Sequence, residues 1–159
     1  MLSIFQFRDA QQEDFKIIAT FAQNEKEAFY FFPKATFPVA PEQLEEAASV
    51  RFSPTVILHK DEVAGYCNFY EVNEGKECWL GNVIVNPNYR KGGVGSYLIE
   101  VMKKKAAEQY KANALNLICH NTNTKALLFY YKQGFKPYDM KLIDYKEASL
   151  IGIMLSISL

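Results

Sequence analysis

Three strand-like runs in the middle of the chain constrain the fold most strongly. They are TVILHK at 55–60, EVAGYCNFYEV at 62–72 and CWLGNVIV at 78–85. Each run is rich in β-branched and aromatic residues, and the steps between them, DE and NEGKE, are short and polar. Such spacing predicts an antiparallel meander, because parallel strands need a longer crossover connection.

The rest of the chain alternates between helix-like and strand-like segments. A first strand precedes a helix over 11–29, prolines interrupt regular structure at 29–41, and a second helix follows at 42–50. Beyond the meander, the pattern predicts a helix over 94–110 whose lysines 103–105 face solvent, then the strand ALNLICH, another helix and two strands. The predicted order is β-α-α-β-β-β-α-β-α-β-β. This order indicates an α/β fold, layered as α+β, with a mixed and mostly antiparallel sheet flanked by helices.

Length, charge and cysteine usage exclude several classes of protein. A chain of 159 residues with 49% hydrophobic residues predicts a single domain over 1–159. The 18 basic residues balance the 18 acidic ones, so no net field attracts nucleic acid or an anionic membrane. No apolar run approaches the roughly 18 residues of a membrane helix. The chain has three cysteines, Cys67, Cys78 and Cys119, and their spacing is not that of metal ligands. This predicts free thiols, no metal site and a cytoplasmic protein.

The loop RKGGVG at 90–95 stands directly before the helix-periodic run. The first turn of a helix leaves backbone N–H groups without intrahelical partners, and the helix dipole makes that end mildly positive. Glycines let the backbone approach an anion closely and adopt positive φ angles. Arg90 and Lys91 add positive charge at the same place. A plain strand-to-helix turn would need only one glycine, so three of them favour a phosphate site.

Two familiar nucleotide-binding loops do not fit this loop. A Walker A loop needs Gly-Lys-Ser/Thr after its glycines, and that sequence is missing here. A dinucleotide-binding G-x-G-x-x-G would begin at Gly93, but Leu98 occupies the place of the third glycine. The loop also follows a meander rather than opening a βαβ unit. Nucleotide hydrolysis and dinucleotide binding are therefore disfavoured.

Two motifs in order resemble the Gcn5-related N-acetyltransferases. RKGGVG, preceded by VIVNP, is similar to the R/Q-x-x-G-x-G/A pyrophosphate loop of that family. NTKALLFYYKQGF at 123–135 is similar to its second motif, in which Asn-x-x-Ala leads into a tyrosine-containing helix that ends at Gly-Phe. The predicted element order also agrees. The resemblance covers essentially the whole chain, although 25–52 carries nothing specific to the family.

The resemblance implies acetyl-CoA as the acetyl donor, with no metal. In the family the loop amides hold the pyrophosphate, and the pantetheine arm pairs with the strand before the loop. That strand would part from ALNLICH to leave a V-shaped slot, and the pantetheine amides would pair with its free backbone groups. The implied cofactor-binding residues are Val83, Ile84, Val85, Arg90, Lys91, Gly92, Gly93, Val94, Gly95, Ser96, Asn123 and Phe129.

Acetyl transfer to an amine also needs a donor for the developing oxyanion and a proton for the departing thiolate. Asn123 and Tyr130 are two helical turns apart and share a face. By spacing alone Tyr130 would be a core aromatic, whereas the resemblance makes it the catalytic proton donor. A phenol with a pKa near ~10 stays protonated at pH 7 and can hydrogen-bond to a thiolate.

The general base stays open at the level of sequence. Some family members carry a glutamate at the position of Trp79, and this chain departs from that pattern. Glu77 lies on the same strand face, Glu71 lies on the neighbouring strand, and His120 ends the strand beyond the slot. Each of these, or water, could accept the proton, although the sequence favours an ordinary solvated side chain at each position, and no base is assigned.

The sequence predicts an acetyl-CoA-dependent N-acetyltransferase that moves the acetyl group directly to a primary amine. The alternative is a non-catalytic module that binds or senses acyl-CoA, favoured by the missing strand glutamate. The acceptor, a small molecule or a peptide, stays open. An apolar C-terminal strand makes a homodimer possible, but the same residues could complete the sheet internally.

Overall fold

One seven-stranded sheet organises the chain in the computed structural model, which describes residues 4–159. Its order is β1-β2-β3-β4-β5-β7-β6, and every neighbouring pair is antiparallel except β4 with β5. The predicted meander and the mixed, mostly antiparallel sheet are thereby confirmed. The strands are β1 Phe5–Asp9, β2 Phe52–His59, β3 Glu62–Asn73, β4 Glu77–Val85, β5 Ala114–His120, β6 Lys136–Tyr145 and β7 Ala148–Ser158.

Within residues 4–159, five α-helices and one short 3-10 helix, Pro87–Tyr89, flank this sheet. They are α1 Asp14–Ile18, α2 Glu25–Phe31, α3 Pro41–Ser49, α4 Val94–Gln109 and α5 Thr124–Lys132. The order differs from the prediction in one element, because the helix expected over 11–29 is split into α1 and α2. Asn24 explains the split: its extended backbone starts a new helix, and its side chain accepts a hydrogen bond from the Glu27 amide.

The two faces of the sheet carry separate hydrophobic clusters. Helices α4 and α5 cover one face, with Leu98, Met102 and Tyr130 in its core, and we call it the cofactor face after the ligand expected there. Helices α1, α2 and α3 cover the other, where Phe15 and Leu44 are buried, and we call it the acceptor face after the substrate expected there. Lys105 of α4 contradicts the expected solvent-facing lysine run. It is buried and donates a 2.7 Å hydrogen bond to the Thr55 hydroxyl, because the helix turns this position towards β2.

Strands β4 and β5 part soon after they meet. Their register contains only Glu77 with Ala114, Cys78 with Leu115 and Trp79 with Asn116. Both strands continue beyond the last pair, β4 to Val85 and β5 to His120. Within the part of the chain that the structure describes, these further residues form no pair with each other, so the predicted slot between the strands is present. It opens towards the N-terminus of α4.

The apolar C-terminal strand lies inside the sheet. Strand β7 pairs with β5 on one side and with β6 on the other, so its hydrophobic residues complete the sheet internally. This placement gives β7 a role that needs no second copy, and the homodimer stays a prediction. Nowhere in residues 4–159 is there a helix with both the length and the apolar character to span a membrane.

Candidate active site

The loop before α4 is shaped by its glycines. Gly93 is the N-cap residue of α4 and has φ +91°, a conformation that side chains strongly disfavour. A Cβ atom at Gly92 would lie 3.1 Å from the Tyr89 carbonyl oxygen. Upstream, the Asn86 side chain accepts from the Asn88 amide and donates to the Val63 carbonyl, which anchors the loop to β3. A Cβ atom at Gly65, the partner of Val85, would lie 2.9 Å from the Val94 side chain, so the first turn of α4 lies at the open end of the slot.

Arg90, predicted to add charge for a phosphate, is already paired within the protein. Its Nη2 atom donates to Glu27 Oε1 at 2.9 Å and to the Phe21 carbonyl at 3.1 Å, and its Nε atom donates to the Val85 carbonyl at 3.2 Å. Of the three side-chain nitrogens of Arg90, only Nη1 has no hydrogen-bond partner within residues 4–159. Lys91 is exposed, with φ +66° and no contact to an acidic group in the described chain. Lys91 is thus the cation of this loop whose charge is uncompensated.

Gly95 and Ser96 connect the loop to α5. A Cβ atom at Gly95 would lie 2.9 Å from the ring of Phe129, so this glycine lets the two helices approach closely. The Gln133 side chain donates to the Ser96 hydroxyl at 2.9 Å. The two motifs that the sequence shows separately are therefore in direct contact.

The residues predicted on the second motif lie beside the slot. Asn123 is the N-cap of α5, and its side-chain oxygen accepts from the Ala126 amide, which leaves its amide hydrogens free to donate. Tyr130 is buried with 8% of its surface exposed, and it packs between Phe129 and Phe135. Burial, with added effects of Cys119 and Cys67, raises the pKa of Tyr130. Cys119 lies on β5 beyond the last pair with β4, so Tyr130 stands next to the unpaired half of β5.

The predicted pantetheine strand runs along the other side of the slot. Val83 and Val85 are half-buried against the cofactor-face cluster, and Ile84 is buried in the acceptor-face cluster. Ile84 pairs with Tyr66 and Val85 pairs with Gly65, so β3 satisfies one edge of the strand only. The edge towards β5 is unpaired in the described residues.

The three candidates for a general base differ in their surroundings. Glu71 and Glu77 each accept a 2.9 Å hydrogen bond from the Asn73 amide, so the two carboxylates share one donor. His120 is 7% exposed and stacks on Phe29 at 4.6 Å between ring centres. Burial lowers the pKa of His120, so its ring is neutral at pH 7. The geometry brings none of the three together with Tyr130.

A polar cluster on the acceptor face carries no sequence motif. Arg51, between α3 and β2, donates from Nη1 to the side-chain oxygens of Asn82 at 2.8 Å and Asn68 at 3.2 Å. Asn68 also donates to Asn82 at 2.9 Å and to the Tyr66 hydroxyl at 3.1 Å. Asn82 has φ +48°, and its amide donates to the Phe31 carbonyl. We refer to Arg51, Asn68 and Asn82 as the Arg51 cluster.

The Arg51 cluster holds the irregular part of β4. The register between β3 and β4 shifts between Tyr66 and Asn68, and again between Phe69 and Glu71. These shifts are β-bulges, which bend a strand and redirect its side chains. Three polar residues spaced across 31 positions give no local pattern, and only their hydrogen bonds reveal them. Sequence motifs therefore could not indicate that Arg51 lies in this cluster.

The described residues contain no group of three His, Cys, Asp or Glu side chains that could hold a metal ion. The three cysteines are free and buried, as the sequence predicts. Burial raises the pKa of the Cys78 thiol to about 11 and that of the Cys119 thiol to about 12. Cys119 is consequently a neutral thiol at pH 7 and a poor nucleophile.

Sequence comparison identifies the family. The sequence profile of the Acetyltransferase (GNAT) family matches residues 8–135, which is most of the chain and includes both motifs. The chain belongs to the GNAT acetyltransferase family. The resemblance read from the motifs is thereby confirmed. No curated protein sequence matches the chain.

Solved GNAT structures share the fold across nearly the full length. The Escherichia coli ribosomal-protein-S18-alanine N-acetyltransferase has 16% identity and a TM-score of 0.74, over 97% of this chain and 93% of that one. A Bacillus anthracis GNAT acetyltransferase has 15% identity and a TM-score of 0.81, over 99% and 96%. The Vibrio cholerae spermidine N-acetyltransferase, solved with CoA and spermine, has 17% identity and a TM-score of 0.78, over 99% and 96%. At such identities these GNAT relatives establish the fold alone.

Proposed function

We propose that this GNAT protein transfers the acetyl group of acetyl-CoA directly to a primary amine. The observation that carries the proposal is the slot between β4 and β5, which opens beside the first-turn amides of α4. A diphosphate would accept hydrogen bonds from those amides, with Lys91 supplying charge. The pantetheine amides would pair with the unpaired backbone groups of Val83–Val85. The Val85 carbonyl is not among these groups, because it accepts a hydrogen bond from Arg90 Nε.

In the proposed reaction the neutral amine attacks the thioester carbonyl carbon. A C–N bond forms, the C–S bond breaks, and the amine loses one proton while the CoA thiolate gains one. Tyr130 donates its phenolic hydrogen to the departing sulfur, and the proton lost by the amine returns to Tyr130 through the base and solvent. The burial that raises the pKa of Tyr130 would raise the pKa of a thiol in the same place, because both acids are neutral when protonated. The phenol therefore stays a suitable hydrogen-bond donor to the thiolate.

Removal of the amine proton falls to a group on the acceptor face or to water. His120 is neutral at pH 7 and can accept a proton, but its stacking on Phe29 restricts its access to the slot. Glu71 and Glu77 would act through an intervening water. Such a base either deprotonates the ammonium group before the amine attacks the thioester or removes the amine proton after the attack.

Release of CoA from acetyl-CoA with a panel of amines tests the proposal. We expect Tyr130→Phe to lower kcat by roughly 10-fold to 100-fold, within the range of a lost acid–base group, with acetyl-CoA affinity changed less than about threefold. Tyr131→Phe is the matched control, because Tyr131 is 68% exposed on the same helix. An equal loss in kcat and in affinity would remove Tyr130 from the proposed role.

The non-catalytic alternative makes a different prediction for the same experiment. Trp79 stands where some family members carry a glutamate, which is the observation that favours a binding module. In that case calorimetry would show CoA binding, and no amine would release CoA. Absence of CoA binding would reject both functions.

A further inference from the structure

Arg51 carries a positive charge that no acidic side chain compensates. Within the part of the chain that the structure describes, Nη1 is the only guanidinium nitrogen of Arg51 with partners, and both partners are neutral amide oxygens. Within residues 4–159 no carboxylate lies within ion-pair distance of Arg51, and Nε and Nη2 have no acceptor. A half-buried arginine always keeps its charge at pH 7. Such charges are normally paired, because desolvation without a counter-charge is costly.

A second donor without an acceptor lies nearby. The Trp79 indole Nε1 is fully buried and has no hydrogen-bond partner in the described chain. The Tyr70 ring connects the two groups: its centre is 5.8 Å from the Arg51 guanidinium and 6.0 Å from the Trp79 ring. One buried indole donor and two open guanidinium nitrogens on one sheet face indicate a place for an acceptor group.

The position of this charge relates it to the slot. A Cβ atom at Gly81 would lie 3.0 Å from Arg51 Nη1 and 2.8 Å from the Tyr70 ring, so the guanidinium lies directly against the backbone of β4. Gly81 is two residues beyond Trp79, the last residue of β4 that pairs with β5. The charge therefore stands at the start of the slot, on the face opposite α4 and α5.

We propose that Arg51 binds a carboxylate of the acceptor, so that the substrate is a small amino acid rather than a polyamine. This inference rests on the proposed function. The free Nε and Nη2 atoms can hold a carboxylate in a bidentate arrangement, which a lysine cannot reproduce. Glu71 and Glu77 are the acids nearest along this face of β3 and β4. They share the Asn73 amide instead of pairing with Arg51, and they could attract the ammonium group of the same molecule.

Pairs of acceptors that differ only in charge test the inference. We would measure kcat/KM for glycine and glycinamide, β-alanine and β-alaninamide, and 4-aminobutyrate and its amide, with spermidine as the cationic comparison. We expect at least one acid to exceed its amide by about 10-fold or more, equivalent to about 1.4 kcal/mol. The amine of an amino amide has the lower pKa and is more often neutral at pH 7, so its ionisation cannot produce this preference.

The variants separate recognition from structural support. Arg51→Gln should bring the acid-to-amide ratio close to one, with KM for acetyl-CoA unchanged, and Arg51→Lys should keep part of the preference. Lys16→Gln, which removes an exposed cation on α1, should leave the ratio unaltered. A purely structural role of Arg51 would lower activity on acids and amides alike. If Arg51→Gln does not fold, the ratio measured for Arg51→Lys decides, because a structural cation would leave it at the wild-type value.

Failure of this inference differs from failure of the proposed function. Turnover of amides or spermidine at rates equal to or above those of the acids overturns the role of Arg51 and leaves the acetyltransferase proposal intact. Retention of the acid preference in Arg51→Gln does the same. Absence of CoA release with every amine rejects the acetyltransferase function, and the proposed acceptor class is rejected with it.

Discussion

Arg90 and Arg51 both lie against β4, Arg90 at Val85 and Arg51 at Gly81, and they contrast in how their charge is compensated. Arg90 belongs to a recognisable motif, yet Glu27 and two backbone carbonyls already satisfy most of its donors. Arg51 belongs to no motif, and its charge faces only amide oxygens and an aromatic ring. A motif therefore locates a loop but does not tell which of its cations is available to a ligand. Ion pairing across elements decides that.

The comparison also separates two kinds of binding surface. In the cofactor loop, backbone amides would do most of the binding, so glycine conformation matters more than the Arg90 charge. On the acceptor face a side-chain charge is left over, so residue identity at position 51 matters most. Three variants test this contrast.

The largest effect is expected at Gly93. Gly93→Val places a β-branched residue at φ +91°, which costs about 1–3 kcal/mol and forces the first amides of α4 to reorient. We expect CoA to bind about 10-fold more weakly or worse, measured by calorimetry. Gly75→Val is the matched control, because Gly75 has φ +78° and open space around it in the β3–β4 turn. Equal affinities in the two variants would show that loop conformation does not control binding.

An intermediate effect is expected at Arg90. The Arg90–Glu27 pair is partly exposed, so Arg90→Met should lower the free energy of unfolding by roughly 1 kcal/mol or less at pH 7. We also expect CoA affinity to fall less than in Gly93→Val. Lys103→Met, which breaks the exposed pair with Glu100, serves as the control for removing a surface ion pair. A larger loss of CoA affinity in Arg90→Met than in Gly93→Val would reverse the contrast.

The pH dependence of the Arg90→Met effect follows from Glu27. Burial raises the pKa of Glu27, but hydrogen bonds from Arg90 and the Gln23 amide, with nearby positive charges, bring it below its ordinary value of 4.5. A depressed carboxyl pKa stabilises the folded state above the unfolded value, and this contribution is lost as the pH falls through the folded value. The difference between wild type and Arg90→Met in urea unfolding should therefore shrink below pH 4.5. A constant difference down to pH 3 would assign the effect to packing.

The smallest effect on stability is expected at Arg51. Arg51→Gln removes a desolvated charge together with its two hydrogen bonds to amides, and these opposite contributions should leave the free energy of unfolding within about 1 kcal/mol of wild type. Urea unfolding without ligand measures this difference. A loss of several kcal/mol would show that the Arg51 cluster mainly supports the β4 bulges. A small loss combined with the changed acid-to-amide ratio would assign Arg51 to recognition.

Features set by neighbouring residues could be predicted from the sequence, whereas features set by contacts between distant segments could not. The meander and α4 were predictable because their patterns are local, whereas the split between α1 and α2 depended on one capping side chain, Asn24. Lys105 was assigned to solvent by its neighbours in sequence, yet Thr55 accepts its hydrogen bond inside the fold. Gly95 was read as a loop glycine, and its contact with Phe129 on α5 could not be seen locally.

Local sequence patterns predict the family, the order of the strands along the chain and the position of the glycine loop before α4, because glycine spacing and hydrophobic period act over a few neighbouring residues. The folded chain decides which charges are paired, because Glu27 meets Arg90 across 63 positions and Asn82 meets Arg51 across 31. Whether a charge is compensated depends on how close distant segments come in space. The proposal of a small amino acid as acceptor rests on the unpaired charge of Arg51, so it could be made only from the folded chain.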